Sequence, residues 1–263
     1  MNQKTTSQSG FSLVELMVAA VVFTLLTGVM FSVLVASQQR YKIESEVLNS
    51  FTGANVAMDQ ITRDIHQTGY PPANTYTAAT AAISPQLFAL PFAWDPGYPN
   101  LPSCTIGGTC APTPSAYDII VETVPDPTVS TTVQWIRYQL PAGRHTLLRA
   151  AVNKFAGGDP VVQTAAALTP YLNGVMNNAT APEIASIQQS YPNMFPGNAD
   201  VPMFTYYCDS AAGPIPCTAA NTVVNIREVQ ISLIVKSSAI DPKTLQPRIV
   251  TLTGQAMRLN PNQ

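Results

Sequence analysis

Residues 11–36 read FSLVELMVAAVVFTLLTGVMFSVLVA, a run of 26 residues with one charged side chain, Glu15. At 1.5 Å rise per residue, a helix of this length extends about 39 Å, enough to cross a hydrocarbon core of roughly 30 Å. A cleaved secretory signal has an apolar region of only about 7–15 residues, so Val35-Ala36-Ser37 is a poor imitation of its cleavage site. Residues 1–10, MNQKTTSQSG, are polar, and Lys4 is their one charge. The pattern predicts a short polar leader and then a membrane-spanning helix.

The periodicity continues beyond the apolar run. Ile43, Val47, Phe51, Ala54, Met58, Ile61 and Ile65 follow one another at steps of three and four, one stripe of an α-helix. Glu44, Glu46, Asn49, Asn55, Gln60 and Arg63 fall off that stripe. Gly69 and then Pro71-Pro72 supply a stop signal. One helix is therefore predicted from about Phe11 to about Thr68, roughly 85–90 Å long. Residues 11–36 form its apolar half, and residues 37–69 its amphipathic continuation, which must lie against a sheet or another apolar surface.

Glu15 is the costly residue. A carboxylate in the first turn of a bilayer helix is unfavourable by several kcal/mol unless paired or neutralised. No Lys, Arg or His occurs between Phe11 and Gln39. Cutting the Gly10–Phe11 bond would create an α-amine at Phe11, and the amine of one subunit could meet Glu15 of a neighbour within an apolar bundle. The helix dipole also favours an anion in the first turn. The plainer alternative is a glutamate reaching the headgroups.

Ser9-Gly10-Phe11-Ser12-Leu13-Val14-Glu15-Leu16-Met17-Val18-Ala19 resembles the leader and methylation motif of type IV pilins and type II secretion pseudopilins. The resemblance implies cleavage after Gly10 by a prepilin peptidase, N-methylation of Phe11, and Glu15 as the assembly glutamate. It implies residence in the bacterial inner membrane as a single-pass protein with a periplasmic head, then incorporation into a pilus or pseudopilus. Expected partners are the peptidase, membrane lipid before assembly, other major and minor pilins, and the inner-membrane assembly platform. Met58 to Tyr70, MDQITRDIHQTGY, resembles the helix end of PilW-like minor pilins and J-type minor pseudopilins. A polar helix end with solvated charges is the simpler reading of Arg63 and Asp64. Many major pilins carry a proline in the apolar helix; here it has none, which favours a minor subunit.

Residues 70–263 are expected to form the head. All 23 prolines lie beyond residue 70, and residues 71–117 read as a loop-rich, Pro-rich insertion. Strand-like stretches follow at 118–124, 132–140, 201–207, 226–236 and 248–258, with a short helix within Pro160–Asn173. Alternation at Val229, Ile231, Leu233 and Val235 marks a half-buried strand, and Asp241-Pro242 suggests the turn of an antiparallel hairpin. The fold class predicted is α+β, a long N-terminal helix packed on an antiparallel sheet.

Cys104, Cys110, Cys208 and Cys217 have C-x5-C and C-x8-C spacings, unlike a zinc site. Four cysteines allow three pairings; two local disulfides, 104–110 and 208–217, are expected, consistent with an oxidising compartment, with metal binding or two free pairs as the alternative. No cofactor is expected. GxSxG, HExxH, GxxxxGK[ST] and GxGxxG are all absent from the chain, and no enzymatic activity is predicted. Charged residues are 11% of the chain, with 13 Lys+Arg against 15 Asp+Glu, which argues against nucleic-acid binding. Asp95, Asp126, Asp200 and Asp209 are scattered calcium candidates, better read as solvated loop residues. Asn178-Ala179-Thr180 matches a glycosylation sequon, a weak motif. Tyr70, Tyr76, Phe88, Phe92, Trp94 and Tyr98 form either a cover for the sheet or a binding surface. The expected function is that of a minor pilin supporting pilus assembly and initiation. The alternatives are a minor pseudopilin of a type II secretion system and a tip-exposed adhesin.

Overall fold

The computed structural model describes residues 12–72, 85–100, 104–128, 131–211, 213–241 and 246–259. Helix α1 covers Leu13–His66 as one element of 54 residues. The chain divides into two compact units, Met1–Glu46 and Val47–Gln263.

In the first unit, the apolar side chains of α1 are uncovered: Leu16, Phe23, Leu26, Met30 and Val33 all expose more than half of their surface. A window of this helix has mean hydropathy 2.5 and meets the length and composition needed to cross a membrane. Within residues 13–36 its hydroxyls need no outside partner. Thr24 donates to Ala20 O and Val21 O, Thr27 to Phe23 O, and Ser32 to Val29 O. Hydroxyls turned back onto the helix's own carbonyls suit a segment surrounded by hydrocarbon, where nothing else could satisfy them.

The second unit is α+β. Its first sheet comprises β1 (Phe92–Ala93), β2 (Asp118–Thr123), β3 (Gln134–Gln139), β4 (Thr146–Asn153) and β5 (Thr169–Asn173). These strands pair in sequential order, every neighbour antiparallel. The second sheet holds β6 (Phe204–Cys208), β7 (Ile215–Pro216), β8 (Ile226–Asp241) and β9 (Gln246–Met257), in the order β7-β6-β8-β9. All five expected strands form. They divide between two sheets rather than building one, because β6 pairs with β8 while β2 and β3 pair with each other. The β8–β9 hairpin is antiparallel; residues 242–245 of its connection lie outside the described residues, as do 73–84 and 101–103 of the insertion and Tyr76.

The predicted stripe packs as its spacing requires. Val47, Ala54, Met58, Ile61 and Ile65 are buried, with Phe51 half-buried. Ala54, Met58, Ile61 and Ile65 share one core with Ile119, Val121, Ile136 and Leu147 of the first sheet and with Phe204, Val229, Ile231 and Leu233 of the second. Full burial of an isoleucine contributes about 1.5–3 kcal/mol, so this stripe is what holds residues 47–66 against both sheets. Past the helix end at His66, a turn reaches Gly69 (φ 73°), whose N–H donates to Glu122 O at 2.9 Å.

Two shorter helices cover outer faces. Helix α2 (Pro160–Ala165) is capped by Asp159, which accepts from Val161 N at 2.8 Å and Val162 N at 3.1 Å. It falls within the stretch Pro160–Asn173 expected to hold a short helix, and residues 169–173 of that stretch form β5. Helix α3 (Ala181–Gln188) sets Ile184 and Ile187 against Ile234 of β8 and Phe195. Residues 71–117 contribute the 3-10 turn Pro85–Leu87, β1 and part of the main core through Phe92, Trp94 and Ile106, more structure than a surface loop.

Candidate functional site

The N-terminal segment is built from one helix. Gly10 and Phe11 lie outside the described residues. Glu15 lies in the first turn of α1, where the unpaired N–H groups carry partial positive charge. It is exposed, and a shallow apolar groove containing Val18, Ala19, Val22, Phe23 and Leu26 runs from it along the helix surface. Such a surface offers an incoming helix apolar side chains and one anion to be matched by one cation.

At the other end of α1, the structure separates Arg63 from Asp64. Arg63 is exposed, as a solvated helix end requires, whereas Asp64 is 1% exposed. The Asp64 carboxylate accepts from Tyr138 OH at 2.6 Å, Gln60 Nε2 at 2.7 Å and an Arg149 guanidinium N–H at 3.2 Å. Arg149 also lies 5.6 Å from the centre of the Tyr138 ring and 5.9 Å from that of Tyr171. Burial, then the nearby Asp64 charge, pushes the Tyr138 phenol upward, so it remains a donor.

Two further buried ion pairs organise the first sheet. Asp118 is gripped by Arg137 through Nε at 2.9 Å and a second guanidinium nitrogen at 2.5 Å, and Arg137 also donates to Val161 O of α2. Glu122 is fully buried and accepts from Leu90 N at 2.8 Å, Trp135 Nε1 at 3.0 Å, Lys154 Nζ at 2.7 Å and the Tyr98 hydroxyl. Burial and Glu122 both raise the Tyr98 phenol. These contacts fasten the Pro-rich insertion to β2, β3 and β4. Nothing in the local sequence announced them, because partners such as Glu122 and Lys154 are 32 residues apart.

Cys104 is bonded to Cys110, and Cys208 to Cys217. The four calcium candidates are not brought together, and no cluster of three potential ligands occurs among the described residues. Asp126 accepts from the backbone and hydroxyl of Thr128, Asp200 from Tyr117, and Asp209 faces Arg227 at 3.9 Å. Asn178 Nδ2, the atom a glycan would need, donates to Leu140 O at 3.0 Å. His66 Nδ1 is 2.7 Å from Met257 O, tying the end of α1 to β9, while His145 Nε2 is 2.7 Å from a Glu183 oxygen.

The uncovered apolar N-terminal helix, with its single first-turn glutamate, is long and apolar enough to serve as a membrane anchor, and the second unit is an α+β head. The family model of the prokaryotic N-terminal methylation motif matches residues 5–31, which include Gly10, Phe11 and Glu15. That match supports a type IV pilin-like protein, processed at its N-terminus and assembled into a pilus or pseudopilus, and it fits a single-pass inner-membrane anchor. No curated protein and no solved structure matches the chain significantly.

Proposed function

We propose that the chain is a minor type IV pilin, made as a prepilin, cut after Gly10 by a prepilin peptidase and N-methylated at Phe11. It enters the pilus through α1, with its head on the periplasmic side before assembly, and supports pilus assembly and initiation. The observation that carries this reading is the methylation motif over residues 5–31 with Glu15 in the first turn of an uncovered apolar helix. The absence of proline from the apolar run favours a minor over a major subunit. The role is structural: subunits pack stem on stem beside other major and minor pilins, delivered by the inner-membrane assembly platform.

Glu15 is the residue through which assembly is tested. In the bundle its carboxylate neutralises the α-amine of a neighbouring subunit, so removing it strands one charge in apolar surroundings. Glu15→Ala should leave the amount of protein in the membrane fraction unchanged. Its content in sheared filaments should fall by at least about tenfold. Wild-type incorporation of Glu15→Ala would refute the charge-pairing mechanism.

A further inference from the structure

Away from the N-terminal segment, a cavity of 190 Å³ opens between the Pro-rich insertion and the turn after β4. Phe88, Tyr98, Lys154, Phe155 and the pair Gly157-Gly158 are among its lining residues. We propose that this cavity binds one neutral, hydroxylated sugar ring.

Charge decides against ions. The Lys154 ammonium lies 2.7 Å from Glu122, with 4% and 0% of their side chains exposed, so the floor carries no net charge. An anion would approach the buried Glu122 carboxylate. A cation would meet the Lys154 ammonium, which already occupies the faces of Phe88 and Tyr98 at 5.0 Å and 5.7 Å from their ring centres.

The floor is nevertheless polar. An ammonium has three donors, and two are used, on Phe88 O at 3.0 Å and on Glu122. The third has no acceptor among the described residues and supplies a handle for a hydroxyl oxygen. The rim is aromatic: Phe155 lines the cavity while remaining 47% exposed, its ring edge-on to Trp135 at 5.7 Å. That seat depends on Gly158, where a Cβ would come within 2.8 Å of both Phe155 and Trp135. A sugar ring combines the C–H face that an aromatic rim accepts with the hydroxyls that the ammonium requires. The cavity volume is below the roughly 300–1,000 Å³ of sites for drug-sized ligands, which matches a single ring.

The test is a titration of the full chain in a sugar-free detergent with the methyl glycosides of glucose, galactose, mannose and N-acetylglucosamine. Tryptophan emission reports binding, because the chain has two tryptophans and both flank Tyr98, Trp94 at 5.2 Å and Trp135 at 6.1 Å between ring centres. At least one glycoside should give a saturable change. Phe155→Ala should weaken that binding about tenfold and Phe155→Tyr should retain it. Phe155→Ala should also enter filaments at the wild-type level, which separates this site from the assembly role. No saturable response to any of the four, or equal affinity in Phe155→Ala, overturns the proposal.

Discussion

Asp64, Asp118 and Glu122 are 1%, 4% and 0% exposed, and each faces a cation from a different part of the chain. Removing a single partner from such a pair leaves a buried charge, at a cost of about 3–5 kcal/mol, whereas an exposed pair contributes little. Glu183 belongs to the second class and acts through pH. Its carboxyl is lowered to about 2, first by the Thr180 hydroxyl, then by the Thr180 N–H, with His145 adding a smaller contribution. A lowered carboxyl stabilises the fold above its unfolded value of about 4.3 and loses that contribution as pH falls towards about 2. Amide-exchange protection of α3 in the wild type should therefore decline over that window. Glu183→Gln should remove the dependence, and an identical pH profile in the variant would contradict the assignment. Residues with local environments were legible beforehand, Glu15 above all, since its apolar surroundings are its own sequence neighbours. Asp64 was not, because Tyr138 and Arg149 lie 74 and 85 residues away.

Among the elements, the same distinction applies. Helix α1 repeats one pattern over many turns, and the strands β2, β3, β6, β8 and β9 carry enough apolar residues to be recognised. Strand β4 lacks clean alternation because its register with β5 shifts between Leu147 and Leu148. Strand β5 contains Pro170, which argues against a strand except at a sheet edge, and β5 is an edge. Helix α3 did carry a signal, Thr180-x-x-Glu183 before Ile184, the pattern of a capping box. The two sheets themselves were not legible, since nothing local states which strand β6 will join. Their seam is specific: Gly174 O accepts from Lys236 N at 2.8 Å, and Met176 N donates to Ile234 O at 2.7 Å. Gly174 has φ 81°, and a Cβ there would lie 2.4 Å from the Lys236 carbonyl oxygen. Gly174→Ala should cost at least about 1–2 kcal/mol, with a thermal midpoint lower by roughly 2–8 °C. An unchanged midpoint would show that the seam tolerates a side chain.

For the whole molecule, the division of the chain follows its two solvents. A stem without proline and with one charge over residues 11–36 suits hydrocarbon first and a helical bundle later. The second unit concentrates the prolines, two disulfides and buried ion pairs around a core shared by α1 and both sheets. The central claim is that the chain matures at Phe11 and enters a filament. It is tested most directly by mass spectrometry of the protein's N-terminus in sheared pili, alongside the membrane fraction. The account predicts N-methylated Phe11 as the first residue in the filaments, and full-length precursor retained in the membrane when Gly10 is replaced by Val. Filament-borne protein that still begins at Met1, or a Gly10→Val chain that matures at Phe11, would contradict it.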